Sequence, residues 1–405
     1  MASYIFQSII KPPNLVGHSS SIVYYFKPPE MAGSLATSTF VGMQIQKLIP
    51  TLILLAAAGL ASVIPTASDI TVGRHTPCVK FNVRKEWRTL SESERLDFIS
   101  AVKCLQETPG ETTALYSGVK SRYDDYVVLH ITQTDYIHWV GFFLPWHRYF
   151  LSLFEQELQD TCGYNGTVPY WDWTQDAINE AAFVASPLFD TTHGFGGNGP
   201  YIEDISGFPS DWLSLVEIPG RTGGGCITDG PFATYNASMG PGNHTDYTPH
   251  CVRRDFSPSL AVQSLNSSVY AHVLAATNFF ELEHRTEGIS LGISAMSLHG
   301  GGHLGVGGGI GDMSNTYSSP SDPLFWLHHG GLDKMWNEWQ RNDWATRRFD
   351  IGGPDTQWAY PFNFFGDIPY KNVTLEFVMD FGQIGNSTKI KEVMDTQQQL
   401  CYTYI

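Results

Sequence analysis

Fourteen histidines occur in this 405-residue chain, and half of them fall into two compact groups. His130, His138 and His147 form the first, at intervals of eight and nine; His299, His303, His328 and His329 form the second. Imidazole nitrogen suits zinc, copper, iron and nickel. Neither HExxH nor HxxEH occurs, so no acid completes a zinc-protease site. No HxD or HxE pairing lies at these seven histidines, which sets aside a two-histidine, one-carboxylate iron site. Two all-histidine triads favour two coppers, each held by three nitrogens with one position open. Two adjacent Cu(I) ions can deliver two electrons to O2 together.

The ligand-bearing elements are partly readable. His299 and His303 lie one helical turn apart, so both face the same way. Gly300, Gly301 and Gly302 stand between them, and each costs a helix about 1 kcal/mol relative to alanine. A glycine-rich loop with two ordinary histidines is the plain alternative; two metal bonds would offset the poor propensity. His147 shares a helical face with Phe150, Leu151, Phe154 and Leu158, and so points inward. Pro145 suits the first turn of that helix, and Gly163 lies just past its end. A histidine buried among aromatics needs partners for its nitrogens.

Elsewhere, 89–107 reads as a helix capped by Ser91 with Glu94 three positions on. Residues 267–285 read as another, with Tyr270, Leu274, Ala275, Asn278 and Leu282 on one stripe, and 319–341 as a third starting after Pro323. Residues 162–270 read as long surface loops, and "VTLEFVMDF" alternates like a strand. The expected fold is mainly α: a helical core like a four-helix bundle around the dicopper centre, with disulfide-stapled loops and few short strands.

Composition limits the function classes. With 42% hydrophobic residues the chain can build a large core. Its net charge of −16 argues against nucleic acid or an anionic membrane as partner. Six cysteines without a CxxC pair predict three disulfides in an oxidising compartment. Short-loop closure favours Cys78–Cys104 and Cys226–Cys251, which leaves Cys162–Cys401 by elimination. Sequons at Asn165, Asn236, Asn243, Asn266, Asn372 and Asn386 predict N-linked glycans. Residues 43–68 read as a secretory signal peptide: Lys47, an apolar stretch over 48–60, then small residues. That run is shorter than the ~20 residues a membrane span needs. Translation is expected to start at Met43, with 1–42 a non-functional extension. The mature chain is expected to begin between Ser62 and Asp69, to occupy 69–405 as one domain and to be extracellular.

"FFLPWHRYFLSLFEQEL" and "SPSDPLFWLHHGGLDKMWNEWQ" resemble the two copper signatures of the tyrosinase and catechol oxidase (polyphenol oxidase) family of type 3 copper proteins. "VPYWDW" at 168–173 and "GGGHLGVGGGIGDM" at 300–313 are similar too. The likeness runs from about residue 74 to the end and looks most like the short secreted fungal branch. It implies that His130, His138 and His147 bind one copper. His299, His303 and the second of the adjacent histidines, His329, then bind the other, with His328 supporting that site.

Glu283, in "FFELEHR", is similar to the family's glutamate that orients a water near the substrate, with Glu281 and Glu287 as rivals. Gly300 to Gly302 are expected to leave space over the second copper. Arg148 and Asp333 flank ligands and read either as a pair fixing the helices or as a surface salt bridge. Phe325 and Trp326 are expected to pack around the site. Where many relatives crosslink a cysteine to a ligand, this chain has Tyr136, so no thioether is expected. Nor is the covering C-terminal domain of longer relatives, given the ending "EVMDTQQQLCYTYI".

The implied activity is oxidation of o-diphenols to o-quinones by O2. Monophenol hydroxylation is expected to be weak or absent, because Gly300 offers no side chain to hold a water with Glu283. The alternatives are a full tyrosinase with monophenolase activity, a haemocyanin-like O2 carrier, and a glycoprotein with a lapsed site.

Overall fold

The computed structural model describes residues 78, 80–208, 217–288, 293–359 and 368–405. The expected extension, signal peptide and mature start lie outside the described residues. Ser91 and Glu94 form the expected capping box and start α1 (Glu92–Glu107). A second capping box, Ser121 with Asp124, starts α2 (Arg122–Ile137), which the hydrophobic pattern had not separated from the helix that follows. α2 stops at His138, whose backbone is extended (φ −116°, ψ 149°). α3 (Phe143–Cys162) ends as expected at Gly163, in the left-handed region at φ 64°. The remaining helices are α4 (Glu180–Val184), α5 (Pro258–Leu265), α6 (Ser267–Leu274), α7 (Phe279–Glu287), α8 (Leu298–Gly307), α9 (Leu324–Asn342) and α10 (Trp344–Arg347).

The single helix expected over 267–285 divides into α6 and α7. Asn278 is the reason: its side chain accepts the Glu281 amide at 3.0 Å, and asparagine in that role starts a helix rather than continuing one. The glycine stretch is helical, as α8, but its glycines do not open space over a metal. A Cβ on Gly301 would come within 2.6 Å of Ser264, and one on Gly305 within 3.0 Å of Ala261. The small residues bring α5 into close packing against α8. α3 packs on α9 through Phe154 and Trp326, whose rings stack 3.6 Å apart and 2° from parallel.

The loop-rich region is less superficial than its composition suggests: Phe183, Phe189, Phe195, Phe232 and Phe256 are all buried. Strands are short. β1 (Asn82–Arg84) pairs in parallel with β6 (Tyr402–Tyr404), β2 (Asn236–Ala237) with β3 (His250–Cys251), and β4 (Val378–Met379) with β5 (Thr388–Lys389). Of "VTLEFVMDF", only Val378 and Met379 are in a strand.

The disulfides are Cys78–Cys401, Cys104–Cys162 and Cys226–Cys251. Two of the three expected pairings are therefore wrong. Loop length weighs the entropy of the unfolded chain, whereas pairing follows which Cα atoms the fold brings within reach. Parallel pairing of β1 and β6 brings Cys78 to Cys401, and α1 beside α3 brings Cys104 to Cys162. All six cysteines are in disulfides, and Tyr136 is exposed.

Arg148 and Asp333 are both buried and bonded to each other, which sets aside the surface salt bridge. Arg84, Tyr402 and Tyr404 also bond to the Asp333 carboxylate. One buried acid thereby ties β1, α3, α9 and β6 together. Among the described residues, no helix is long and apolar enough to cross a membrane.

Candidate metal centre

The first triad is built by α2, its C-terminal cap and α3. His130 sits on α2 with Nδ1 2.6 Å from the Tyr317 carbonyl oxygen. His138 Nδ1 lies 2.9 Å from the Thr134 carbonyl, and His147 Nδ1 2.9 Å from that of Phe143. An imidazole that donates from Nδ1 keeps the Nε2 lone pair for a metal. The Nε2 atoms of His130 and His147 are buried without a protein partner.

The second triad comes from α8 and α9. His303 Nδ1 lies 2.7 Å from the Met313 carbonyl, whereas His299 Nδ1 has the Glu287 carboxylate 3.8 Å away. His329 Nδ1 and His299 Nε2 have no partner. In each triad, one ring nitrogen per histidine lies within 4.8 Å of the other two. The triads face one another: the His147 and His329 rings stack at 4.4 Å, and those of His138 and His299 lie 5.7 Å apart and 14° from parallel.

His328 stands outside both triads. Trp173 Nε1 donates to its Nδ1 at 3.1 Å, and its Nε2 lies 3.0 Å from the His299 carbonyl. Both nitrogens are committed, so of the adjacent pair His329 is the one that joins the triad. A Cβ on Gly302 would come within 2.2 Å of the His328 ring; only glycine lets α8 approach so closely. Phe325 packs on the His329 ring at 4.1 Å and faces His130 at 5.3 Å. Trp326, expected beside it, turns instead to Phe154 and fills core.

Burial pushes every triad imidazole below its usual pKa, His138 and His303 to about 4. They are therefore neutral at ordinary pH, the form a metal requires. Buried ring nitrogens without partners are costly unless something binds them. A donor set of neutral nitrogen alone, three to a site, fits copper.

α7 brings two more groups to the site. Glu283 Oε1 accepts the Leu144 amide at 3.4 Å, at the start of α3, which has no side-chain cap of its own. Its Oε2 is buried without a partner. Burial, and then the charge of Glu287, push its pKa well up. Glu281, the first rival, faces outward and pairs with Arg285; Glu287 is buried and lies beside His299. The residues missed from the sequence are Trp173, Arg84, Tyr402 and Tyr404. Trp173 at least lay within "VPYWDW".

A helical core holding two facing histidine triads defines a dicopper oxidoreductase centre. The common central domain of tyrosinase matches residues 120–342. The N-acetyl-6-hydroxytryptophan oxidase of Emericella nidulans is 35% identical, over 85% of this chain and 99% of its own. Tyrosinase P of Aspergillus terreus is also 35% identical, over 81% and 93%. A solved polyphenol oxidase from Thermothelomyces thermophila (a point mutant) superposes with a TM-score of 0.70 at 32% identity, covering 80% of this chain and 89% of that one. The chain belongs to the tyrosinase family, and its cofactor is copper.

Proposed function

We propose that this chain is a catechol oxidase that converts o-diphenols to o-quinones and hydroxylates monophenols weakly or not at all. His130, His138 and His147 hold one copper; His299, His303 and His329 hold the other. The metal pair supplies the electron transfer between phenol and O2. Each catechol gives up two electrons and two protons, so two turnovers reduce one O2 to two waters. The protein positions the phenol, shields it from bulk water and takes up its protons.

Glu283 is the proton acceptor in this reading. Its Oε1 is anchored at the start of α3 while Oε2 has no protein partner, and burial raises its pKa, which strengthens the carboxylate as a base. His328 is a positioning residue: braced by Trp173, it holds the His299 main chain.

The observation that carries the weak monophenolase reading lies at Gly300. A Cβ there would meet Met296 Sδ at 2.3 Å. The Met296 thioether thus fills the space a side chain after His299 would need, and no polar side chain stands at that position. Oxygen uptake on simple catechols and on tyrosine tests this, with fast turnover expected on the first and slow turnover after a lag on the second. Comparable rates would overturn it. The name of the Emericella relative adds hydroxylated tryptophan derivatives to the panel.

The protein is also proposed to be secreted, with residues 43–68 as signal peptide, 1–42 dispensable and 69–405 as the catalytic domain. Its three disulfides support this. Asn165, Asn236, Asn243, Asn372 and Asn386 are exposed and available to glycans. Asn266 is half-buried and committed to the junction of α5 and α6, its Nδ2 bonding the Val262 carbonyl at 2.8 Å. Glycopeptide mapping should find sugar at the five and none at Asn266. Any peptide from 1–42 in the secreted product would refute the proposed start.

A further inference from the structure

Nine methionines occur in the chain; Met1, Met31 and Met43 lie outside the described residues, and six lie within them. Met239, Met313, Met335, Met379 and Met394 are buried, each at most 1% exposed. Met296 alone of these six is half-buried, with surface to offer a dissolved reactant.

Its place is singular too. Met296 lies four residues before Gly300, and its Sδ occupies the space that a Gly300 side chain would fill. It also packs against Ile218, Leu260 and Leu304. Gly300 stands between His299 and His303 on α8. Among the six triad histidines, His303 is the one that is half-buried rather than buried, and His299 follows at 7% exposed. Solvent and phenol therefore reach the metal pair along this edge of α8, past Met296.

We propose that Met296 is a site of reversible oxidation whose sulfoxide widens the approach to the copper pair. Hydrogen peroxide is the co-reactant. Its O–O bond breaks, one oxygen joins the sulfur, and the other leaves with both hydrogens as water. The sulfur gives up two electrons and the peroxide takes them. A thioether packs well among aliphatic side chains, whereas a sulfoxide is polar and costly to bury without a hydrogen-bond donor. The oxidised side chain therefore leaves Ile218, Leu260 and Leu304 and turns from Gly300 towards water. Enzymatic reduction of the sulfoxide restores the apolar cover. The site stands apart from the function proposed above, while its effect on phenol binding rests on that function.

The copper-loaded protein is exposed briefly to dilute hydrogen peroxide, and its methionines are followed by peptide mass spectrometry. Met296 should gain oxygen at least about tenfold faster than the five buried methionines. The KM for a catechol with a bulky ring substituent should fall severalfold in step with it. A pair of methionine sulfoxide reductases, one for each sulfur epimer, should return the KM to its starting value; damaged ligand histidines would not be repaired. Met296→Leu keeps a similar volume and an apolar surface without the sulfur, so neither treatment should move its KM.

Oxidation of Met296 no faster than that of the buried five would overturn the site. A KM that ignores Met296 oxidation, or that shifts alike in Met296→Leu, would overturn the effect on phenol access. A protein that consumes no oxygen with any catechol would overturn the proposed function instead, and the peptide map would still decide the site.

Discussion

His130, His138 and His147 each direct Nδ1 at a main-chain carbonyl, and for two of them that carbonyl lies four residues upstream. In the second triad only His303 has such a partner, ten residues away at Met313. His299 has Glu287 nearby and leans, through its carbonyl, on His328 and Trp173. The first site is therefore fixed largely by the backbone that carries it. The second is fixed by side chains that arrive from distant parts of the chain. Damage to long-range packing should reach the second copper first.

The largest expected effect tests whether the two sites act as a unit. His147→Ala or His303→Ala should each lose one copper and nearly all oxidase activity, measured by metal analysis and oxygen uptake. Full activity in either variant would break the assignment.

Acid should come next. In the copper-free protein burial holds His138 and His303 at about 4, against an ordinary value near 6.5. Between those values the unfolded chain takes up protons that the folded chain does not, so stability falls as pH drops from about 6.5 to about 4. The urea midpoint of copper-free protein should fall across that window by less than the histidines alone would give, because buried Glu283, its pKa raised, keeps a proton there that the unfolded chain releases.

Asp333→Ala follows. It leaves the buried Arg84 and Arg148 without their shared acid, which should cost about 3–5 kcal/mol in urea unfolding. Because that acid ties α9 to distant parts of the chain, the second copper should be lost before the first, as read by chelator competition.

Gly302→Ala sharpens the contrast most finely. Its methyl would press on the His328 ring, costing about 1–3 kcal/mol as overpacking does. Only the second copper should weaken, as read by chelator competition. Equal weakening of both would show that the sites are not held independently.

The same contrast explains what could be read in advance. α1 and α3 were legible because capping residues and an apolar stripe are local signals. α2 was not, since nearly every residue from Arg122 to Ile131 is buried, leaving no polar face to mark a period. α8 hides its helix behind glycines, and the reason for them lies in α5 and His328, far away in sequence. The disulfide pairs, the Asp333 network and the Trp173 brace are likewise contacts between distant segments. The choice of His329 over His328 and the role of Glu283 came from family resemblance, because spacing holds no information on either.

The central claim is that two coppers act together on an o-diphenol. It is tested most directly by oxygen uptake with a catechol while copper-free protein is reloaded stepwise. Activity is predicted to track the fraction of chains holding two coppers and to be near zero in chains holding one. Activity proportional to the first copper bound, or a fully loaded protein that consumes no oxygen with any catechol, would contradict it.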